Sequence, residues 1–171
     1  QYTISEFYDE NEALFHYTGN SGQQLITRKK ELFDNVIPSS NAVMAQNLFE
    51  AGTLMTNNTW KEMAIRMTEV LHSVILQEPN YMSHWSIVHA NTVHGFHEVA
   101  IVGSETHQKR KQWQRLFHPF TVTLGTTGNS SLPVLQDKRL KDRQTLFFVC
   151  RNRVCQLPVV SVEEAVTQLQ K

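Results

Sequence analysis

Apolar residues recur at helical spacing between residues 38 and 95, with short polar interruptions. Ser39 or Ser40 stands where its side-chain oxygen can cap a first helix that ends near residue 55. A broad apolar face continues over residues 59–77, and a shorter helix is expected over residues 80–92. Neighbouring helices joined by short polar turns are typical of helical hairpins.

The pattern changes near residue 97 to short apolar runs that are typical of buried strands. Ser104 can cap a helix after the first run, and Ser161 with Glu164 forms a capping box before a last helix over about 162–170. A strand, a helix and a strand followed by a strand and a helix indicate a small βαβ-like unit with parallel strands. The three predicted strands are HEVAIVG at 97–103, FTVTLG at 120–125 and TLFFVC at 145–150.

The two patterns together predict a mixed α and α/β fold in two parts. Residues 1–95 are expected to be helical hairpins, and residues 96–171 are expected to be a small three-stranded α/β module. Turn-forming residues cluster at 20–22, where we expect a hairpin or a tight loop.

The 171 residues include 16 basic and 16 acidic side chains, so the formal net charge is zero. A balanced charge gives no general attraction to nucleic acid or to an anionic membrane, and we expect neither partner. No apolar run approaches the roughly 20 residues of a membrane-spanning helix. The segment QYTISEFYDE lacks the features of a signal peptide, and two cysteines are too few for a disulfide scaffold. We therefore expect a cytoplasmic or organellar location, and cytoplasmic is the first choice.

Four of the eight histidines lie close together in the sequence, at His84, His89, His94 and His97. His84 and His89 are five residues apart, which directs them to different faces of a helix, and no cysteine lies near the other two. Zinc motifs place ligands three or four residues apart on one helix face. We therefore interpret these residues as structural or surface histidines and expect no metal and no cofactor.

Cys150 and Cys155 form a C-x4-C pattern, which suits a hairpin with one cysteine on each side of a four-residue turn. Redox proteins of the C-x-x-C type use a shorter spacing at a helix start. The two residues can form a disulfide or simply pack against each other, and packing is the favoured interpretation. They are kept as a candidate thiol pair, whereas a zinc half-site is disfavoured because no second pair exists.

The turn at Val102, Gly103 and Ser104 ends a strand and opens a helix, which is where nucleotide-binding folds hold phosphate. A single glycine without further motif residues favours a tight turn instead. The densest polar stretch beside a good helix is Arg28–Asn41. From its residues alone, a solvated loop is favoured over a concave polar site.

That stretch, RKKELFDNVIPSSNAVMAQNL, resembles a segment of the YyaL-like, thioredoxin-domain-containing family, also known as the spermatogenesis-associated protein 20 family. Ser40 replaces the usual glycine of this family and Ala42 replaces its usual serine. The strand HEVAIVG and the later Cys-x4-Cys-x-x-Pro-Val segment before a last helix also match, in the same order. The matching positions of the first segment are Arg28, Lys30, Glu31, Asp34, Pro38, Ser39 and Asn41.

The resemblance implies a longer parent protein with an N-terminal thioredoxin-like domain and an (α/α) toroid. Such toroids are similar to N-acylglucosamine 2-epimerases and six-hairpin glycosidases, and this chain would hold the last hairpins and a C-terminal α/β module. Toroids of this type bind sugars at the mouth of the barrel, so a carbohydrate-binding or carbohydrate-processing parent is the first hypothesis. The fragment alone would be inactive, because a few hairpins cannot close a barrel. The substrate-binding residues implied are Arg28, Glu31, Asp34, Ser39 and Asn41.

Two other functions remain open at this point. A non-catalytic scaffold would bind a partner or hold the thioredoxin-like domain, with Ser39 as a helix cap and Asp34 paired with Arg28 or Lys30. A third hypothesis is thiol chemistry at the two cysteines. A sugar enzyme needs its carboxylates in a concave pocket, whereas a scaffold has them paired. An incomplete toroid also predicts exposed apolar surface, through which the fragment would form a homodimer.

Overall fold

The computed structural model of the protein describes residues 1–22, 26–136, 138 and 144–170. Within it the chain forms two compact units, residues 1–52 with 57–93 and residues 53–56 with 94–171. In the described residues the fold is mixed α and β, with seven α-helices, a four-stranded mixed sheet and a two-stranded sheet. That residues 1–95 and 96–171 are separate domains stays a prediction.

The first unit begins with helix α1, Tyr2–Phe7, and a short antiparallel hairpin. The hairpin strands are β1, Tyr8–Asp9, and β2, Leu14–Phe15. They lie ahead of residues 20–22, where the sequence predicted a hairpin or a tight loop. A tight turn is present there, since the amide of Gly22 donates to the carbonyl of Gly19 at 3.4 Å.

Helices follow from residue 40 to residue 94 and confirm the three predicted helical stretches, with two differences. The helix predicted over residues 59–77 is interrupted at Leu71, whose φ of −103° and ψ of 2° depart from helical values. The last helix begins at residue 83 because the preceding residues form a 3₁₀ turn. The elements are α2, Ser40–Leu54; α3, Asn58–Val70; α4, His72–Gln77; the 3₁₀ turn, Pro79–Tyr81; and α5, Ser83–His94.

Polar side chains fix the starts of two of these helices. The hydroxyl of Ser39 accepts from the amide of Ala42 at 3.3 Å, which confirms one of the two predicted caps of α2. Asn57 caps α3 by accepting from the amide of Trp60 at 3.1 Å. Apolar side chains buried at helical spacing form the core, and they include Ala45, Leu48, Phe49, Ala64, Met67, Trp85 and Val88.

The second unit is built on a four-stranded sheet, in the order β4-β3-β5-β6. Strands β3 and β4 are parallel, whereas β3 and β5, and also β5 and β6, are antiparallel. The prediction of three strands was therefore wrong by one, and the prediction of parallel strands holds only for the first pair. The elements are β3, His97–Val102; α6, Thr106–Trp113; β4, Thr121–Thr126; β5, Leu146–Arg151; β6, Val154–Cys155; and α7, Val162–Leu169.

Both faces of this sheet are covered, which explains why β3 is a continuous apolar run rather than an alternating one. Helices α6 and α7 pack on one face, over Val99 and Ile101. The opposite face, with Ala100 and Val102, packs against Leu135. The core on the face with Val99 and Ile101 is completed by side chains from both helices, which are Trp113, Val162 and Ala165.

Two predicted caps of the second unit have different outcomes. The capping box is confirmed, since the hydroxyl of Ser161 accepts from the amide of Glu164 at 3.2 Å. Ser104 does not cap α6, which begins two residues later, after Glu105. None of the helices in the described part of the chain is both long and apolar enough to cross a membrane.

Candidate functional site

Asp34, the central carboxylate of the predicted sugar site, is bonded to the backbone at both of its oxygens. One oxygen accepts from the amide of Ser39 at 2.8 Å, at the start of α2. The other accepts from the amide of His84 at 2.7 Å and from the hydroxyl of Ser83 at 3.5 Å, at the start of α5. The residue is 7% exposed. Asp34 therefore joins two helix starts, where a negative charge is also favoured by the helix dipoles.

Asn41 binds the backbone of β2 in the way that a neighbouring strand would. Its carboxamide oxygen accepts from the amide of Phe15 at 2.7 Å, and its nitrogen donates to the carbonyl of Phe15 at 2.9 Å. The same nitrogen donates to the carbonyl of Glu31 at 3.0 Å. Three of the polar contacts that this buried side chain can make are thus satisfied within the fold.

Glu31 and Arg28 also contact the chain itself. A carboxylate oxygen of Glu31 accepts from the amide of Ser40 at 3.2 Å, beside the cap made by Ser39. The guanidinium group of Arg28 donates to the side chain of Asn20 at 2.6 Å and to the carbonyl of Thr18. Arg28 therefore stabilises the conformation of residues 18–20.

The five predicted site residues consequently form hydrogen bonds that hold helix starts and neighbouring backbone segments in place. Ser39, Glu31, Asp34 and Asn41 come together around the first turn of α2, whereas Arg28 acts on residues 18–20. A role of any of them in sugar binding stays a prediction.

The prediction that Asp34 pairs with Arg28 or Lys30 was wrong, because backbone amides occupy both of its oxygens. Lys30 instead contacts Asp9 at 2.7 Å and Glu12 at 2.6 Å. The hydrogen bond from Lys30 lowers the pKa of Asp9 to about 2. Sequence reasoning missed Asp9, because nothing in the spacing of 21 residues links the two side chains.

Apolar side chains next to Asp34 face solvent. Phe33, Val36 and Ile37 are 51%, 96% and 73% exposed, respectively. The backbone between them is held in place, since the amide of Asp34 donates to the carbonyl of Tyr81 at 2.8 Å. We call Phe33, Val36 and Ile37 the apolar loop. An apolar group on an ordered segment is typical of an interaction surface.

A cleft of about 340 Å³ opens in the second unit. Burial lowers the pKa of His118 and of His97, and the charge of Arg151 lowers that of His97 further. The ring of His118 stacks on Trp113 with 3.9 Å between ring centroids. Sequence analysis grouped two of these histidines but missed His118, which only the fold brings to them. The polar and aromatic lining residues are His94, His97, His118, Arg151, Phe117 and Phe120.

Cys150 and Cys155 are joined by a disulfide across the hairpin of β5 and β6. The favoured interpretation of simple packing was therefore wrong, although the predicted hairpin is present. The turn has only two central residues, Asn152 and Arg153, both with positive φ. This places the two cysteines directly opposite each other in the strand register.

The tight turn favoured from the sequence at Gly103 is confirmed, since the amide of Thr106 donates to the carbonyl of Gly103 at 3.3 Å. Its φ is +149°, and a Cβ there would lie 2.5 Å from the Cα of Thr145. The hydroxyl of Thr145 accepts from the amide of Glu105 at 2.9 Å.

Within the described ranges, no three histidine, cysteine, aspartate or glutamate side chains are grouped so as to hold a metal ion. Comparison with protein-family models gives no match to this chain, and comparison with curated proteins gives none either.

Proposed function

We propose that the first unit is a non-catalytic segment that presents the apolar loop to a partner. The observation that supports this proposal is that both carboxylate oxygens of Asp34 accept hydrogen bonds from backbone amides, those of Ser39 and His84. A carboxylate in general acid–base catalysis must reach the proton that it transfers. To do so, Asp34 would have to give up a hydrogen bond to the amide at a helix start. A structural role also explains why the side chain is buried.

The proposal also accounts for the exposure of the apolar loop. Asp34 lies between Phe33 and Val36 and restrains the backbone that carries them. A surface that is ordered before binding loses less conformational entropy on association than a flexible one. In the parent implied by the family resemblance, the partner is the remaining part of the (α/α) toroid. In the isolated chain, the same loop brings two copies together as a homodimer.

Carbohydrate binding by the complete toroid is the competing proposal, and it rests on the family resemblance alone. It requires that groups outside the motif supply the acid and base, since Asp34 is occupied by amides. A cytoplasmic location likewise remains a proposal from sequence. The disulfide bears on it, because disulfides in cytosolic proteins are usually transient and reactive rather than structural.

The first experiment measures the mass of the chain by light scattering across a range of concentrations. We expect the wild type to dimerise and the double variant Val36→Ser, Ile37→Ser to remain monomeric. A matched control changes two exposed apolar residues of the second unit, in the double variant Leu157→Ser, Val160→Ser, and should still dimerise. A monomeric wild type at all concentrations would contradict this proposal.

The competing proposal is tested by a thermal-shift screen of the longer parent protein, which would contain the complete toroid, against a panel of sugars. A sugar at about 100 times its dissociation constant adds about 2.7 kcal/mol of stability. A shift for one sugar class that disappears in Asp34→Asn, while the variant stays folded, would favour a sugar site. We expect no sugar to shift the wild type.

A further inference from the structure

The two cysteines of the disulfide differ sharply in exposure. Cys150 lies on the inner strand β5 and is 1% exposed, whereas Cys155 lies on β6, at the edge of the sheet, and is exposed. A reagent in solution therefore meets one sulfur and not the other. Thiol–disulfide exchange depends on which sulfur can be attacked, so the fold selects Cys155.

Cys155 opens onto a second cleft of the second unit, with a volume of about 250 Å³. The basic residues Lys138 and Arg153 also line this cleft. The ammonium group of Lys138 lies over the ring of Phe148, 5.9 Å from its centroid. The same ammonium group donates to the carbonyl of Val134, so Arg153 is the more exposed of the two basic residues.

Among the described residues that line this cleft, the acidic residue Glu98 is more buried than the two basic ones. Glu98 is 5% exposed, and one of its oxygens accepts from the amide of Arg153 at 3.3 Å. It stands opposite Cys150 in the register of β3 and β5. Among the described lining residues, the exposed charged side chain next to Cys155 is that of Arg153, which is positive. Positive charge draws anions to the cleft and favours a thiolate over a thiol.

We propose that Cys150 and Cys155 form a redox-active site that exchanges with a small thiol carrying a carboxylate. The thiolate of this molecule attacks Sγ of Cys155 and forms a mixed disulfide. The bond between the two cysteines breaks, and its electron pair passes to Sγ of Cys150, which takes up one proton from water. A second molecule of the thiol attacks the mixed disulfide at its own sulfur and releases Cys155 as a thiolate.

The balance of the two steps is complete. Two small thiols are oxidised to one small disulfide, and the protein disulfide is reduced to two thiols. This activity is independent of the apolar loop and of the role of Asp34. It also reconciles the disulfide with the cytoplasmic location proposed above, where lasting structural disulfides are rare.

The charge of the cleft is tested with three small thiols, 3-mercaptopropionate, 2-mercaptoethanol and cysteamine, which are anionic, neutral and cationic. Reduction is followed by alkylation and mass spectrometry, and rates are compared at equal thiolate concentration. We expect 3-mercaptopropionate to react about fivefold faster than cysteamine at low salt, with a smaller ratio at high salt.

Arg153→Gln should remove most of this preference. The matched control Arg110→Gln removes the same charge from the exposed surface of α6 and should keep the preference. Equal rates for the three thiols in the wild type, or an unchanged preference in Arg153→Gln, would overturn the proposal.

The order of attack is tested with two single variants and an anionic aromatic disulfide, 5,5′-dithiobis(2-nitrobenzoate). Cys150→Ser leaves Cys155 accessible and should be labelled rapidly, whereas Cys155→Ser should be labelled at least about tenfold more slowly. Circular dichroism shows whether each variant is folded. In the wild type, reduction at the rate of global unfolding would identify a structural disulfide and overturn the proposal, whichever variants fold.

Discussion

The carboxylate of Asp34 accepts a hydrogen bond from the backbone amide of His84, which is 50 residues further along the chain, at 2.7 Å. Its second oxygen accepts from the amide of Ser39 at 2.8 Å. Both donors belong to helix starts, where amides have no partner within the helix. One side chain therefore connects the start of α2 to the start of α5.

Asp34→Asn should lower the free energy of unfolding by about 2 kcal/mol. Asparagine has nearly the same shape, but its NH₂ group takes the place of one of the two accepting oxygens. A donor then faces the donor of a backbone amide, and one hydrogen bond is lost. Urea denaturation measures the change. Glu31→Gln is the control, because it keeps an oxygen for the amide of Ser40 at an exposed position, and it should cost less than about 0.5 kcal/mol. An unchanged urea midpoint in Asp34→Asn would contradict the structural role.

Sequence reasoning succeeded where the signal lies within a few residues. The capping box of Ser161 and Glu164 and the cap at Ser39 depend on residues three positions apart. The helical stretches follow from apolar spacing, which local sequence displays. Leu71 interrupts one of them without a proline or glycine, so nothing in the pattern signalled that break.

Sequence reasoning failed where the interacting residue is distant in the sequence, and where the fold depends on the relative direction of two strands. Nothing near Asp34 indicates His84, so the residues alone favoured a solvated loop, and only the family resemblance implied a binding site there. A continuous apolar run such as β5 shows burial but carries no information on strand direction, so the antiparallel pairing with β3 was missed. The disulfide depended on the two-residue turn at Asn152 and Arg153, which aligns the cysteines.

The ion pair of Asp9 with Lys30 should make stability depend on pH in the acid range. The pKa of Asp9 is about 2 in the fold, against an ordinary 3.8, so the unfolded chain binds the proton more readily. The stabilisation is present above about pH 4 and is lost as the pH falls towards 2. Urea midpoints at about pH 5 and about pH 2 should therefore differ less in Lys30→Met than in the wild type. Equal pH dependence in the two proteins would contradict the pair.

His118 should produce a second pH dependence, nearer neutrality. Burial lowers its pKa in the fold, so the unfolded chain takes up a proton first as the pH falls below about 6.5. Stability should consequently decrease between about pH 7.5 and about pH 5.5. His118→Phe keeps an aromatic ring on Trp113 and removes the titrating group. Its unfolding free energy should vary less over this interval, and a slope as steep as that of the wild type would refute the assignment.

Arg153 occupies a turn position that suits glycine. Its φ is 67° and that of Asn152 is 49°, and the two-residue turn between β5 and β6 requires positive φ at both. Asparagine tolerates this conformation better than arginine does. Arg153→Gly should therefore raise the free energy of unfolding by about 1 kcal/mol with the disulfide intact, as measured by urea denaturation. Asn152→Gly should give a smaller gain.

Such a gain would separate the two roles of Arg153. If glycine stabilises the hairpin while the preference for anionic thiols disappears, the arginine is retained at a strained position for its charge and not for the turn. A loss of stability in Arg153→Gly would show instead that its side chain supports the hairpin, and the effect of Arg153→Gln on thiol exchange would then need comparison with a stability-matched variant. The unfolding measurement therefore decides how the exchange rates are interpreted.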